Sequence, residues 1–278
     1  MKNRVELTHD ELEDIIHVLK YNYGYDFSNY AKASFERRVL KFMTDFRIRS
    51  AYDLKFQLIN EPVTFEHFVQ TVTVNVTEIF RDPTFYKEIR EKVIPILASY
   101  PIIKIWHAGC STGEEVFSMC ILLHEAGLLQ RSKIYATDIN PSNLEKARTG
   151  IIPMEYMREY TSNYIQAGGT KDFSDYYTAL YNHAIIQKEL RENVVFSQHN
   201  LVTDSVFNEF QLIFCRNVMI YFDKDLQKRV FELFYESLSP LGFLAIGMKE
   251  SLLFSGIKKK FETISSRNKI YKRKGRYI

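Results

Sequence analysis

Only three cysteines occur in 278 residues, Cys110, Cys120 and Cys215, far apart and with no C-x-x-C pair. That excludes a disulfide framework or a thiolate metal cage and leaves reduced, structural thiols. The seven histidines include no H-E-x-x-H and no other ligand spacing, so no metal is implied. No stretch approaches the roughly 18 uninterrupted apolar residues that a membrane span requires. The N-terminus, MKNRVELTHDELED, opens with charges where a signal peptide would carry an apolar core. A cytoplasmic protein with no membrane insertion is expected. Internal repeats and low-complexity tracts are also missing.

What is present is a chain 46% hydrophobic and 14% aromatic, enough to bury the core of one large domain, or of a large one and a small one. Net charge is only +3, unevenly spread. Residues 249–278 hold ten lysines and arginines against Glu250 and Glu262, whereas residues 1–27 hold three against six acids. The basic tail could invite nucleic acid. A solvated edge strand, IYKRKGRY, protected from aggregation by its charges, explains it as well and is preferred.

The first ~70 residues read as helices. Thr8-x-x-Glu11 is a capping box ahead of Leu12, Ile15, Ile16 and Leu19, one apolar face that ends at Gly24. A second helix is predicted over 30–46, a third from Ser50 and, after the break at Glu61-Pro62, a fourth in TFEHFVQTVTV. From about residue 102 apolar β-branched runs alternate with helical patterns: IIKIWHA, EEVFSMCILLHEA, KIYATDI, SNLEKARTG, NVVFSQHN, QLIFCRN, a helix from Asp223 to Ser239, FLAIGM and KIYKRK. This alternation predicts a doubly wound α/β domain with a mainly parallel sheet. Residues 151–193 follow neither rhythm and carry six tyrosines around Gly168-Gly169, which predicts an inserted subdomain with a small antiparallel sheet.

The first α/β strand runs into HAGCSTGEE, residues 107–115. Gly109 and Gly113 at a strand-to-helix turn allow a ligand to approach the backbone closely, although a tight structural turn would look similar. The spacing is not G-x-G-x-x-G and no phosphate-loop lysine follows, so a pyrophosphate fits poorly. Glu114 and Glu115 would repel phosphate and suit a cationic, amine-bearing ligand such as S-adenosylmethionine. Asp138, ending the second strand, is placed to accept both hydroxyls of a ribose, or else to cap the next helix, a task that Asn140 and Pro141 already fill. Asn200 either meets an adenine amino group or makes a turn. Arg216, after QLIFC, must either point into a cleft or pair with an acid.

Together, NVTEIFRDP (75–83), IWHAGCSTGEE (105–115), ATDIN (136–140), HNL (199–201) and CRNVMIYFD (215–223) resemble the chemotaxis receptor glutamate methyltransferase family, CheR, in order and over nearly the whole chain. The resemblance implies a small all-α domain (1–72) and a Rossmann-like doubly wound S-adenosylmethionine-dependent methyltransferase domain (73–278) with a small antiparallel β insert (151–193). It places Asn75, Thr77, Arg81, Glu115, Asp138, Asn200, Leu201, Arg216 and Asn217 around the cofactor, with Arg81 and Tyr221 nearest the transferred methyl. Two departures stand out. Ile79-Phe80 replaces the family's usual pair of aromatics, and Lys249 in GMKES stands where a small or polar residue is more common.

The activity so implied is methyl transfer from S-adenosylmethionine to glutamate side chains of chemoreceptor cytoplasmic domains, with S-adenosylhomocysteine as product and the enzyme a monomer. A glutamate carboxylate, with a solution pKa near ~4.3, needs no general base. Arg81 is expected to orient it, Tyr221 to hydrogen-bond near the reacting atoms and Arg216 to support the cleft. The basic helix with Arg37, Arg38 and Lys41 foremost is a candidate docking face for acidic receptor helices. An NAD-dependent oxidoreductase lacks its glycine turn here. A nucleic-acid methyltransferase lacks the Asn/Asp-Pro-Pro-aromatic box, and a non-catalytic cofactor-binding scaffold sits poorly with intact Arg81, Asp138 and Tyr221.

Overall fold

The structure, a computed structural model, describes residues 6–73 and 75–275. The chain divides into two compact units, 1–75 with 221–229, and 76–220 with 230–278. Among the described residues no helix is long and apolar enough to cross a membrane.

The first unit is helical. In α1 (His9–Tyr23) the Glu11 amide donates to Thr8 Oγ1 and the Thr8 amide to Glu11 Oε2, so the capping box forms, and Gly24 closes the helix at φ +74°. Leu12, Ile15, Ile16 and Leu19 are buried. Next come α2 (Lys32–Asp45), α3 (Ala51–Asn60), capped by the Ser50 hydroxyl, and α4 (Pro62–Val72). The last starts two residues before the predicted run, because proline at the first helical position loses no hydrogen bond. Residues 221–229 complete this unit: the Ala31 amide donates to the Tyr221 carbonyl and the Asp223 amide to that of Asn29, both at 2.9 Å.

One docking expectation is corrected here. Arg37 and Lys41 are exposed, but Arg38 is buried, donating to the Val72 carbonyl and to the Ser34 carbonyl and hydroxyl, with its guanidinium 4.6 Å from the Tyr221 ring centroid. It is a packing group of the helical unit, not a docking surface.

In the second unit α5 (Pro83–Glu88), a π-helical turn and α6 (Ile94–Leu97) lead into β1 (Ile103–Ala108). Then follow α7 (Glu114–Glu125), β2 (Ser132–Asp138), α8 (Pro141–Thr149), β3 (Ile151–Pro153), α9 (Met157–Gln166), β4 (Tyr177–Leu180), β5 (His183–Ile186), α10 (Lys188–Arg191), β6 (Val194–Gln198), β7 (Phe210–Cys215), α11 (Lys224–Ser237), β8 (Leu238–Ile246), β9 (Phe261–Ser265) and β10 (Ile270–Arg273). Seven strands form one sheet in the order β6-β2-β1-β7-β8-β10-β9, parallel except at β10, which is antiparallel to both neighbours. The order reverses between β1 and β7, so the crevice of this doubly wound sheet opens at their carboxyl ends.

Two details differ from the sequence reading. β10, the IYKRK segment, is an interior strand, because the unpredicted β9 pairs along its outer side. The insert is a three-stranded antiparallel sheet, β3-β5-β4, as expected, but its hairpin turns at Tyr181-Asn182, and Gly168-Gly169 instead follows α9. The insert's Tyr164 and Tyr176 hydroxyls both donate to Glu125 at the end of α7, which also pairs with Arg90, and so the insert is tied to the sheet's covering helix.

Candidate active site

At the end of β1 the amides of Gly109 and Cys110 both donate to the Thr137 carbonyl, bending the chain across the tip of β2. Gly109 has φ +79°, and a Cβ there would lie 2.4 Å from Val218 Cγ2. Gly113, at φ +95°, caps α7. Glycine meets both conformations without strain. Glu114 and Glu115 occupy the first turn of α7, where the helix dipole favours negative charge.

The two acids differ in their surroundings. Glu114 is buried and accepts from the Thr112 hydroxyl at 2.6 Å; burial pushes its carboxyl up. Burial raises Glu115 too, but the His107 ring, 2.9 Å from Oε1, and the Arg216 guanidinium, 3.3 Å from Oε2, hold it below the ordinary range. Arg216 does pair with acids. Besides Glu115 it reaches Asp82 at 2.6 Å, and its guanidinium lies 4.0 Å from the Phe85 ring centroid. Its side chain is 2% exposed, as a buried arginine requires when two carboxylates neutralise it.

Asp138 ends β2 with its carboxylate fixed by backbone and side-chain donors: Ser111 N at 2.8 Å, Asn140 N at 2.9 Å and Asn143 Nδ2 at 3.3 Å. Burial pushes its carboxyl up despite those donors. Asn140 caps α8 through its own side chain, with Pro141 in the first turn, as predicted. Two neighbouring groups, Ser111 Oγ and Asn140 Nδ2, are buried without a hydrogen-bond partner among the described residues. Their hydrogen-bonding capacity is unused by the protein. A ribose offers donors and acceptors that match it, and the anionic surroundings suit a cationic amino-acid chain, so these residues fit S-adenosylmethionine.

The remaining predicted residues spread over both units. Arg81 is half-buried, donates to the Val76 carbonyl and accepts at its own carbonyl from Arg216. Thr77 is half-buried, and Asn217 adopts φ +62°. Asn200 makes a turn, its Oδ1 accepting from the Val202 amide and its N–H reaching Asp204, with Leu201 buried beside it. Asn75, in the helical unit, donates to the Gln70 carbonyl. Tyr221 also lies in the helical unit, described above.

Sequence reasoning missed His107, Asp82 and Glu250. His107 is fully buried and stacks on Phe214 at 4.5 Å. Glu250, adjacent to the noted Lys249, is buried and accepts from the Val218 and Met219 amides at 3.0 and 2.8 Å and from that of Gly247. Burial pushes its carboxyl up. For Glu250 the available signal was an acid four residues beyond the end of an apolar strand.

Residues 10–73 match the CheR methyltransferase all-alpha domain and residues 75–270 the CheR methyltransferase SAM-binding domain. A Pseudomonas putida protein with a methyltransferase designation, Cher3, is 48% identical over 95% of this chain and 96% of its own. Chemotaxis protein methyltransferase 2 of Pseudomonas aeruginosa is 32% identical over 74% of each chain, and the chemotaxis protein methyltransferase of Listeria innocua 29% identical over 85% of this chain and 88% of its own. The strand order, the donors around Asp138 and these matches agree: the chain belongs to the CheR methyltransferase family, an S-adenosylmethionine-dependent methyltransferase.

Proposed function

We propose that the protein methylates glutamate side chains in the cytoplasmic domains of chemoreceptors, producing methyl esters for sensory adaptation, and works as a cytoplasmic monomer. The observation that carries this reading is the fixed Asp138 carboxylate with unpartnered Ser111 Oγ and Asn140 Nδ2 beside it, at the crevice of a chain whose relatives are named chemotaxis protein methyltransferases.

S-adenosylmethionine, when bound, supplies an electrophilic methyl on a sulfonium. In this reading Asp138 takes the ribose and Glu114 and Glu115 favour the cationic amino-acid end. Gly109 and Gly113 admit the ligand to the turn. Thr77, Asn200, Leu201, Arg216 and Asn217 complete the cofactor's surroundings. The acceptor glutamate arrives ionised, so no general base is required. Arg81 orients it, leaving positioning and the exclusion of water as the main sources of rate. Direct transfer agrees with the cysteines: all three are buried with thiols pushed up, so none offers a thiolate at neutral pH.

Labelled S-adenosylmethionine incubated with receptor cytoplasmic domains tests the proposal. Label released as methanol by mild alkali is the expected result. Label that resists alkali, or no transfer to any receptor domain, would refute it.

A further inference from the structure

The four residues that follow β7 hold the crevice together. Arg216 meets Glu115 and Asp82, Asn217 turns the chain at φ +62°, and Val218 covers Gly109. None of these contacts explains how the turn itself is held. Its amides point at one side chain. Glu250 Oε1 accepts from both Val218 and Met219, and Oε2 accepts from Gly247 at the end of β8. Gly247 is glycine for a local reason: a Cβ there would lie 2.8 Å from the Asn217 nitrogen and 2.8 Å from Glu250 Oε2.

We propose that Glu250 is a positioning residue for cofactor binding, its buried carboxylate clamping the 216–219 turn to the end of β8 and so setting where Arg216 and Asn217 stand. Both oxygens face N–H donors, so only a group that accepts on both sides suits the place. Glutamine has the same length but must turn an NH₂ toward an amide N–H, losing an acceptor and setting donor against donor. Aspartate keeps the charge and falls one methylene short.

The inference rests on the reading of Arg216 and Asn217 as cofactor residues, so Arg216→Ala is measured alongside it. In Glu250→Gln the dissociation constant for S-adenosylmethionine, by titration calorimetry, should rise about tenfold, the effect of one lost acceptor in a buried turn. Amide exchange in the ligand-free protein should accelerate over 216–219 while β1 keeps its protection, a local signature that general destabilisation would not give. An affinity within about twofold of wild type, or unchanged exchange over 216–219, overturns the proposal. If Arg216→Ala weakens binding and Glu250→Gln does not, the clamp alone falls. If Arg216→Ala binds normally, the reading of the cofactor residues falls and the clamp with it. Should Glu250→Gln not fold, Gly247→Ala presses on the same bonds, and normal affinity in that variant overturns the proposal equally.

Discussion

Val218 fills the space that a side chain at Gly109 would need, its Cγ2 standing 2.4 Å from where a Cβ would be. Gly109 is therefore fixed twice, by this contact and by a left-handed backbone at φ +79°. Gly109→Ala should destabilise the protein by about 2–4 kcal/mol in urea unfolding, combining backbone strain with overpacking. Adding Val218→Ala should recover the packing part and leave the backbone part, a non-additivity readable from a double-mutant cycle. A Gly109→Ala protein as stable as wild type would show that the two segments do not pack in this way.

The carboxyls of the crevice divide by sign. Burial lifts Glu114, Asp138 and Glu250 above the ordinary range, so their contribution to stability is full below their unfolded pKa values and is lost as pH rises through the folded ones. Glu115, held low by His107 and Arg216 against burial, contributes above its unfolded value and loses that contribution as pH falls through the folded one. In the proposed reading, ribose recognition needs ionised Asp138. Cofactor affinity should therefore weaken on acidification, starting at a pH above the usual aspartate range, and Asp138→Asn should bind weakly with that dependence removed. Calorimetric titrations from neutral to acid pH check this; superimposable profiles for wild type and Asp138→Asn would count against it.

The basic residues of α2 should separate into two behaviours. Arg37→Glu with Lys41→Glu, both on the exposed face, should raise the KM for a receptor fragment several-fold at low salt, with the difference shrinking as salt is added and stability changed by less than about 0.5 kcal/mol. Arg38→Ala should instead destabilise by about 1–3 kcal/mol, because it leaves the buried Val72 carbonyl without its donor. Steady-state kinetics paired with thermal melts distinguish the two, and a KM indifferent to the Arg37/Lys41 reversal would remove this face from docking.

Much of the architecture was legible in local sequence. The capping box at Thr8 and Glu11, the cap at Asn140-Pro141 and the glycine turn after β1 depend on residues within a few positions of one another, and each forms as the spacing implies. Strands β1, β2, β6, β7 and β8 followed from apolar runs between helical patterns. β9 did not, because FETIS has little apolar character and becomes a strand through its pairing with β10. Arg38 could not be told from Arg37 and Lys41 by charge, since burial depends on what packs over α2, including Tyr221 from almost two hundred residues away in the chain.

By itself, the sequence determined the helical run before the alternating strands and helices, and the glycines and acids at the tips of β1 and β2, because helix periodicity, caps and glycine turns act over short distances. Tertiary structure alone decided how those residues share their charges. Arg216 meets Glu115 across 101 positions and Asp82 across 134, while Glu250 receives the Val218 and Met219 amides from more than thirty residues away. Such partnerships follow from which strands lie side by side, and burial then requires that every charge brought there find its counterpart.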